Sequence, residues 1–203
     1  MKILAIADKE DPRIWDRYKP EILREADLVL SAGDLDPHYL SYCVTYSNAP
    51  VLYIHGNHDE KYDQTPPEGC ICIEDDLVIY QGLRILGLGG SMRYRRGTHQ
   101  YTEKQMQWRI RRLWLKIRSC GGFDILLTHA PAAGFHDSPD PADICHHGFE
   151  AFNELIRKYQ PKYHIHGHIH DNYGIKAPQI STNMQTTVIN AYRFFQLDHD
   201  DTK

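Results

Sequence analysis

Residues 51–59 read Val-Leu-Tyr-Ile-His-Gly-Asn-His-Asp, an apolar run that stops abruptly at a string of polar side chains. Three further apolar runs end in the same way: residues 3–7 before Asp8, residues 28–30 before Asp34, and residues 125–127 before His129. Short, wholly apolar runs are typical of buried strands in a sheet that is covered on both faces. The sequence therefore predicts a buried sheet whose strands end in residues that are able to bind metal.

Helix-like stretches lie between these runs, at residues 20–26, 39–46, 103–118 and 149–159. The alternation of strands and helices indicates an α/β fold. Residues 78–80 and 83–88 flank Gln81-Gly82 and predict a hairpin, and residues 187–190 and 193–197 predict a second short-turn pair. In the stretch 103–118, the helical spacing assigns Trp114 to the buried face and Arg109 to the polar face.

The composition restricts the class of protein. A chain of 203 residues that is 41% hydrophobic and 25% charged is long enough for one sizeable core, so we expect a single domain over residues 1–203. The formal net charge of −4 argues against a nucleic-acid or anionic-membrane partner. Because the apolar run near the start is too short for a signal peptide or a membrane span, we expect a cytoplasmic protein.

The cysteines and histidines differ in what they indicate. The five cysteines are odd in number and scattered, without a Cys-x-x-Cys pair, which argues against a disulfide framework and against a thiolate zinc site. The 13 histidines are numerous for this length, and many stand beside Asp, Asn or Gly in short clusters. Histidine and carboxylate residues in loops are the usual components of divalent metal sites.

The polar residues at the predicted strand ends form the candidate site, because ligands of open α/β sheets gather outside the carboxyl ends of the strands. They are Asp8, Asp34, Asn57, His58, His129, His168 and His170. Oxygen and imidazole ligands without a thiolate suit two clustered ions of the Mn, Fe, Zn, Ni or Mg type better than a structural zinc ion.

Four motifs occur in order along the chain: Gly33-Asp34, Gly56-Asn57-His58-Asp59, Thr128-His129 and Gly167-His168-Ile169-His170. In these motifs the chain resembles the calcineurin-like metallophosphoesterase superfamily, from Asp8 to His170 with the closing strands behind it. The resemblance implies a four-layer α-β-β-α sandwich, with two mixed β-sheets flanked by helices.

The resemblance also implies two metal sites that share Asp34. The first would be held by Asp8, the residue two positions after it, Asp34 and His170, and the second by Asp34, Asn57, His129 and His168. His58 stands where the family places a histidine that contacts the phosphate and helps the leaving group depart.

The first motif departs from the usual Asp-x-His of the family, because Glu10 stands where the histidine is expected. The spacing is kept, so Glu10 is predicted to bind the first metal and to favour oxygen-preferring ions such as Mn²⁺ or Mg²⁺. The alternative is a weak or empty first site. In a second departure, Pro37 replaces an aspartate that often orients the motif histidine, and Asp36 is one candidate to substitute for it.

Other polar residues are weighed against plain structural roles. Asp59 is interpreted as a carboxylate that caps its own loop. His55, His164 and His166 are expected to pack beside the cluster, whereas His146 has no ligand context. Arginine-rich residues 93–96 follow a glycine-rich turn and are either a grip for a second phosphate or nucleotide, or a solvated loop.

The motif set predicts a metal-dependent phosphoesterase that cleaves a phosphomonoester or phosphodiester through two divalent ions, Mn²⁺ above all, and a bridging hydroxide. The expected substrate is a small phosphoester, a nucleotide among the candidates. Two other functions stay open. One is a binding module on the same scaffold that has lost activity, motivated by Glu10, and the other is a nuclease, motivated by the basic residues between 93 and 118. The sequence leaves the oligomeric state and the physiological substrate open.

Overall fold

The computed structural model describes residues 1–15, 20–170 and 178–199. The strands are β1 Lys2–Ala7, β2 Leu28–Ser31, β3 Val51–Tyr53, β4 Ile71–Cys72, β5 Asp76–Tyr80, β6 Leu83–Leu88, β7 Ser91–Met92, β8 Gln100–Tyr101, β9 Ile125–Thr128, β10 Tyr163–His166, β11 Ile180–Asn183, β12 Thr186–Asn190 and β13 Arg193–Asp198. The helices are α1 Pro12–Trp15, α2 Glu21–Arg24, α3 Pro37–Tyr46, α4 Glu103–Ser119 and α5 Glu150–Tyr159, with short 3-10 turns at Glu60–Asp63 and Ile144–His146.

Two large sheets form the centre of the molecule. The first has the strand order β13-β1-β2-β3-β4, with β1 to β4 parallel and β13 antiparallel to β1. The second has the order β11-β12-β10-β9-β6-β5, with four parallel central strands and antiparallel strands at both edges. Both sheets are therefore mixed, as predicted.

The apolar runs are continuous because each sheet is covered on both faces. Successive side chains of a strand point to opposite faces, and in β1 Ile3 and Ala5 pack between the two sheets. Leu4 and Ile6 pack on the other side against α1, α2 and α3. In the second sheet, Leu86 of β6 belongs to the cluster that contains α4 and α5. The layers are helices, sheet, sheet and helices, which confirms the predicted four-layer sandwich.

Helix α4 forms where the sequence predicts it and is held at its start by a capping box between Thr102 and Gln105. Two of its residues face opposite to the prediction. Trp114 is 43% exposed, and the Arg109 side chain is buried. Arg109 lies inside because its guanidinium donates to the Gly89 carbonyl and pairs with Asp75, so hydrogen bonds and charge pairing compensate for burial of the cation.

The two predicted hairpins have different outcomes. Strands β5 and β6 pair antiparallel around Gln81-Gly82, both with positive φ, as a tight hairpin requires. The predicted pair at the end of the chain is wrong, because β12 and β13 belong to different sheets. Between them the Ala191 amide donates to His166 in the second sheet while Tyr192 bridges to Ala7 in the first. The short connection crosses between sheets instead of reversing within one.

Within the described ranges, no helix has the length and apolar character needed to cross a membrane. The assignment of residues 1–203 to one domain stays a prediction.

Candidate metal centre

Two aspartates leave the first sheet in left-handed backbone conformations. Asp8 follows β1 with φ 66° and Asp34 follows β2 with φ 58°. The Asp8 amide donates to the Gly33 carbonyl over 3.0 Å, so the ends of the two strands are tied together. The side chain of Asp8 is fully buried and that of Asp34 is 10% exposed. Buried carboxylates need cationic or hydrogen-bonding partners, and these two lie side by side at one sheet edge.

Glycine is required where the loops after β2 and β3 touch. A Cβ on Gly56 would lie 2.0 Å from Asp34 Oδ1, and a Cβ on Gly33 would lie 2.3 Å from the Gly56 nitrogen. The close approach lets Asp34 Oδ1 accept the His58 amide at 2.7 Å. The two glycines of the sequence motifs thus bring Asp34 against the loop of Asn57 and His58.

Asp59 ties the same two loops from beneath. Its Oδ2 accepts the Gly56 amide at 2.7 Å and the Asp34 amide at 2.8 Å. Burial, reinforced by the Asp34 charge, raises the pKa of Asp59 to about 7. Asp59 binds backbone amides, as the interpretation from sequence expected.

His129 brings the second sheet to the site. It follows β9, is completely buried, and its Nδ1 donates to the Ala32 carbonyl at 2.7 Å. That bond directs Nε2 toward Asn57 Oδ1 at 3.0 Å and Asp34 Oδ2 at 3.4 Å. Although burial opposes the charged form, Asp34 raises the pKa of His129 to about 9. His129 Nε2 thus faces two oxygen atoms of the candidate centre.

His168 and His170 follow β10 and meet Asp8 from the other side. The His168 amide donates to both Asp8 oxygens, at 3.0 and 2.9 Å, and His170 Nε2 lies 3.2 Å from Asp8 Oδ1. The His168 Nε2–H donates to the Cys145 carbonyl at 2.7 Å. Burial, together with His129, lowers the pKa of His168 to about 3, so the ring is neutral and its Nδ1 lone pair is available.

Asp34, His129 and His168 each place a ligand atom within 4.8 Å of the other two. The donor set is one carboxylate and two imidazoles whose other ring nitrogens bind backbone carbonyls, the usual arrangement around a bound metal. Together with the buried carboxylate of Asp8, these residues fit divalent cations.

Two residues near the site were not expected from sequence. Cys145 and His146 form a second such group with His168, and the ring centroids of His146 and His168 are 5.3 Å apart. The signal that could have found His146 is Asp143 three residues earlier, because Asp143 Oδ1 lies 2.7 Å from His146 Nδ1. The long segment between β9 and α5 folds back over the site, which local sequence patterns do not encode.

Glu10 and Asp36, the residues connected with the two departures from the family pattern, contact each other. Glu10 is half-buried, and its Oε1 accepts the Asp36 amide at 3.2 Å. Asp36 caps α3 by accepting the His38 amide and pairs with Lys61 at 2.8 Å. Asp36 is thus occupied at the start of the helix and is not placed as a substitute for the family's orienting aspartate. His58 is exposed, with its amide held by Asp34.

His55, His164 and His166 pack beside the centre, as expected. His55 stacks on His99 at 4.4 Å, and His164 Nε2 lies 2.9 Å from Thr128 Oγ1. His166 Nε2 lies 2.8 Å from His136 Nδ1, and both rings are buried. These contacts place a layer of imidazoles behind the strand ends that carry the candidate ligands. Burial lowers the pKa of His136, His164 and His166, whereas, although burial opposes its charged form, Glu74 raises the pKa of His55.

Comparison with known proteins agrees with this geometry. A family model of the calcineurin-like phosphoesterases matches residues 2–172. The chain belongs to this family. It is 33% identical over 127 residues to metallophosphoesterase domain-containing protein 1 of Homo sapiens, a match that covers 59% of this chain and 35% of the human protein. The matched part of this calcineurin-like phosphoesterase thus spans about a third of that curated relative.

Solved structures show the same fold at low sequence identity. A putative 5'-nucleotidase from Staphylococcus aureus superposes with a TM-score of 0.58 at 11% identity, covering 98% of this chain and 51% of that one. The TT1561 protein of Thermus thermophilus superposes with a TM-score of 0.57 at 14% identity, covering 94% of this chain and 88% of that one. At these identities the likeness concerns the fold alone.

Proposed function

We propose that this calcineurin-like phosphoesterase hydrolyses a phosphomonoester or phosphodiester of a small molecule with the help of two divalent metal ions. The observation that carries the proposal is the position of Asp34. Its Oδ2 lies 3.4 Å from His129 Nε2, and the ligand atoms of Asp34, His129 and His168 lie within 4.8 Å of one another. The neighbouring Gly33 carbonyl accepts the Asp8 amide, and Asp8 in turn lies beside His170.

We propose the two sets of ligands that the family resemblance implies. Asp8, Glu10, Asp34 and His170 would hold the first ion, and Asp34, Asn57, His129 and His168 the second. Glu10 gives the first site an additional carboxylate oxygen, which favours Mn²⁺ over softer ions. When bound, the ions would neutralise phosphoryl oxygens and make a water molecule acidic enough to act as a nucleophile near neutral pH.

The protein groups perform the remaining steps. The carbonyls of Ala32 and Cys145 fix the ring orientations of His129 and His168, which leaves the other nitrogen of each ring for a metal. Asp59 holds the loop of Asn57 and His58 against Asp34 by accepting hydrogen bonds from two backbone amides. His58, exposed at the mouth of the site, would donate a proton from its imidazole to the departing oxygen.

The test is hydrolysis of 4-nitrophenyl phosphate and bis(4-nitrophenyl) phosphate by protein loaded with Mn²⁺, Ni²⁺ or Mg²⁺. We expect turnover of at least one ester, and a loss of at least 100-fold in kcat for Asp34→Asn. Asp36→Asn is the matched control, since Asn keeps the helix cap and the change lies two residues away. Failure of the folded, metal-loaded parent on both esters, or equal losses in the two variants, would count against the proposal.

A further inference from the structure

The loop between β7 and β8 is fixed in place beside the candidate metal centre. The Arg93 amide donates to Tyr101, the Arg93 guanidinium to the Gln100 carbonyl at 3.1 Å, and the Arg95 amide to Gln100 Oε1 at 3.3 Å. Strand β7 also packs on the 3-10 turn that contains Cys145. A loop held at both ends by such contacts is a defined surface rather than a freely moving segment.

These contacts distinguish the arginines of this loop. Arg93 is engaged with the backbone of β8 and is not directed to a ligand. Arg95 is exposed, and its guanidinium carbon lies 5.3 Å from the centre of the Tyr94 ring. A guanidinium stacked on an aromatic ring keeps its N–H donors free at the edge, where they fit a carboxylate or a phosphate.

Tyr94 places this cation beside the proposed second metal site. Its hydroxyl is near the side chains of Cys145 and Asn57, both of which act on the pKa of the phenol. The Arg95 charge in turn acts on the Cys145 thiol. Asn57 is completely buried, and its Nδ2 has no hydrogen-bond acceptor within the described ranges. Because the turn that contains Cys145 packs on β7 and also binds His168 through the Cys145 carbonyl, the Tyr94–Arg95 pair lies next to the candidate metal centre.

We propose that Tyr94 and Arg95 form a binding site for a second acidic group on the alcohol portion of the substrate. The Tyr94 ring offers an apolar face, and the Arg95 guanidinium binds the additional carboxylate or phosphate. The substrate class is then a phosphoester whose alcohol carries a further negative charge. This inference rests on the proposed phosphoesterase function, since the metal centre must hold the first phosphoryl group.

Binding of two non-hydrolysable probes tests the site without turnover. Phenylphosphonate carries one acidic group, and 4-carboxyphenylphosphonate carries a second on the far side of the ring. By isothermal titration calorimetry with the Mn²⁺-loaded protein, we expect the second probe to bind about tenfold more tightly at low salt. The difference should shrink as the salt concentration rises, because the guanidinium is exposed.

Variants assign the preference to Arg95. Arg95→Gln should remove the tenfold preference while leaving phenylphosphonate affinity within twofold, and Arg95→Lys should keep part of it. Arg96→Gln, a neighbouring exposed arginine, should leave both affinities unchanged. The inference is overturned if the parent binds both probes equally, or if Arg95→Gln weakens both alike or neither. If the loaded parent binds neither probe, the phosphoryl site itself fails and the proposed function falls with it.

Discussion

At the scale of single residues, the candidate centre depends on a few side chains whose substitution has a calculable effect. Glu10 is one of the two residues at which this chain departs from its family, and its carboxylate lies at the loop that follows Asp34. A carboxylate that accepts one hydrogen bond from a backbone amide still has lone pairs that can bind a metal. The metal content of the protein therefore tests whether Glu10 is a ligand.

We expect two ions per chain in Mn²⁺-reconstituted protein and a value close to one in Glu10→Ala, because the first site would lose a ligand. Elemental analysis after desalting measures the ratio, and Glu68→Ala, an exposed glutamate elsewhere, serves as the control. One ion or none in both the parent and Glu10→Ala would favour the inactive binding module instead.

Gly56 makes a second prediction at this scale. In Gly56→Ala the new methyl group would overlap Asp34 Oδ1, so the two loops would separate, at a cost of about 1–3 kcal/mol in unfolding free energy. Metal affinity should fall with it. Gly97→Ala is a suitable control, since the atoms nearest to its Cβ would belong to the amide end of the Gln100 side chain and not to a backbone. Urea unfolding and metal titration measure the two effects, and parent-like values for Gly56→Ala would contradict the close approach.

At the scale of elements, apolar runs predicted the central strands because parallel strands covered on both faces have no polar side to interrupt them. The α4 helix was predicted with nearly its observed bounds, since its cap and periodicity are local signals. Its faces were less predictable. Arg109 is buried because three residues pair with its guanidinium: Gly89, which follows β6, and Glu74 and Asp75, which precede β5. These partners are distant from Arg109 in the sequence.

Through its partner Glu74, Arg109 supports the loop that follows β3. Glu74, its partner, also accepts the amides of His55 at 3.0 Å and Gly89 at 3.2 Å. Arg109→Leu should lower the unfolding free energy by about 3–5 kcal/mol, because Glu74 and Asp75 would both lose the buried guanidinium that pairs with them. Arg111→Leu, an exposed residue of the same helix, should change it by less than about 0.5 kcal/mol. Equal changes in unfolding free energy for the two variants would show that the buried ion pair does not stabilise the fold.

At the scale of the whole molecule, the candidate ligands from both sheets meet at one edge because the two sheets pack face to face with their strand ends aligned. Asp8, Asp34 and Asn57 come from the first sheet and His129, His168 and His170 from the second. The order of the motifs predicted this meeting. The placement of Cys145, His146 and Tyr94 depends on how long segments fold back, and that information is not carried by local periodicity.

The buried imidazoles make the stability of the whole molecule sensitive to acid. Burial, together with His136, lowers the pKa of His164 from 6.5 to about 3. Between these values the unfolded chain binds a proton at this residue that the folded protein does not, so stability falls as the pH decreases, by roughly 1 kcal/mol per pH unit. The raised pKa of Asp59 acts in the opposite direction, so the informative quantity is a difference between variants.

We expect the unfolding free energy of metal-free His164→Gln, measured with urea between about pH 6.5 and 4, to fall less steeply on acidification than that of the parent. The difference in slope corresponds to at most one proton taken up on unfolding. His38→Gln, an exposed histidine, should follow the parent. Parallel curves for the parent and His164→Gln would mean that His164 titrates normally in the folded protein.

The crossing at Ala191-Tyr192 has a consequence for how the protein is made. Strand β1, which carries Asp8 at its end, pairs on one side with β2 and on the other with β13. During translation the first of these partners emerges soon after β1, but the second emerges only when residues 193–198 leave the ribosome. One edge of β1 therefore stays open until β13 emerges, and an open strand edge is a template for pairing with other nascent chains. A strand that is made late thus protects one that is made early.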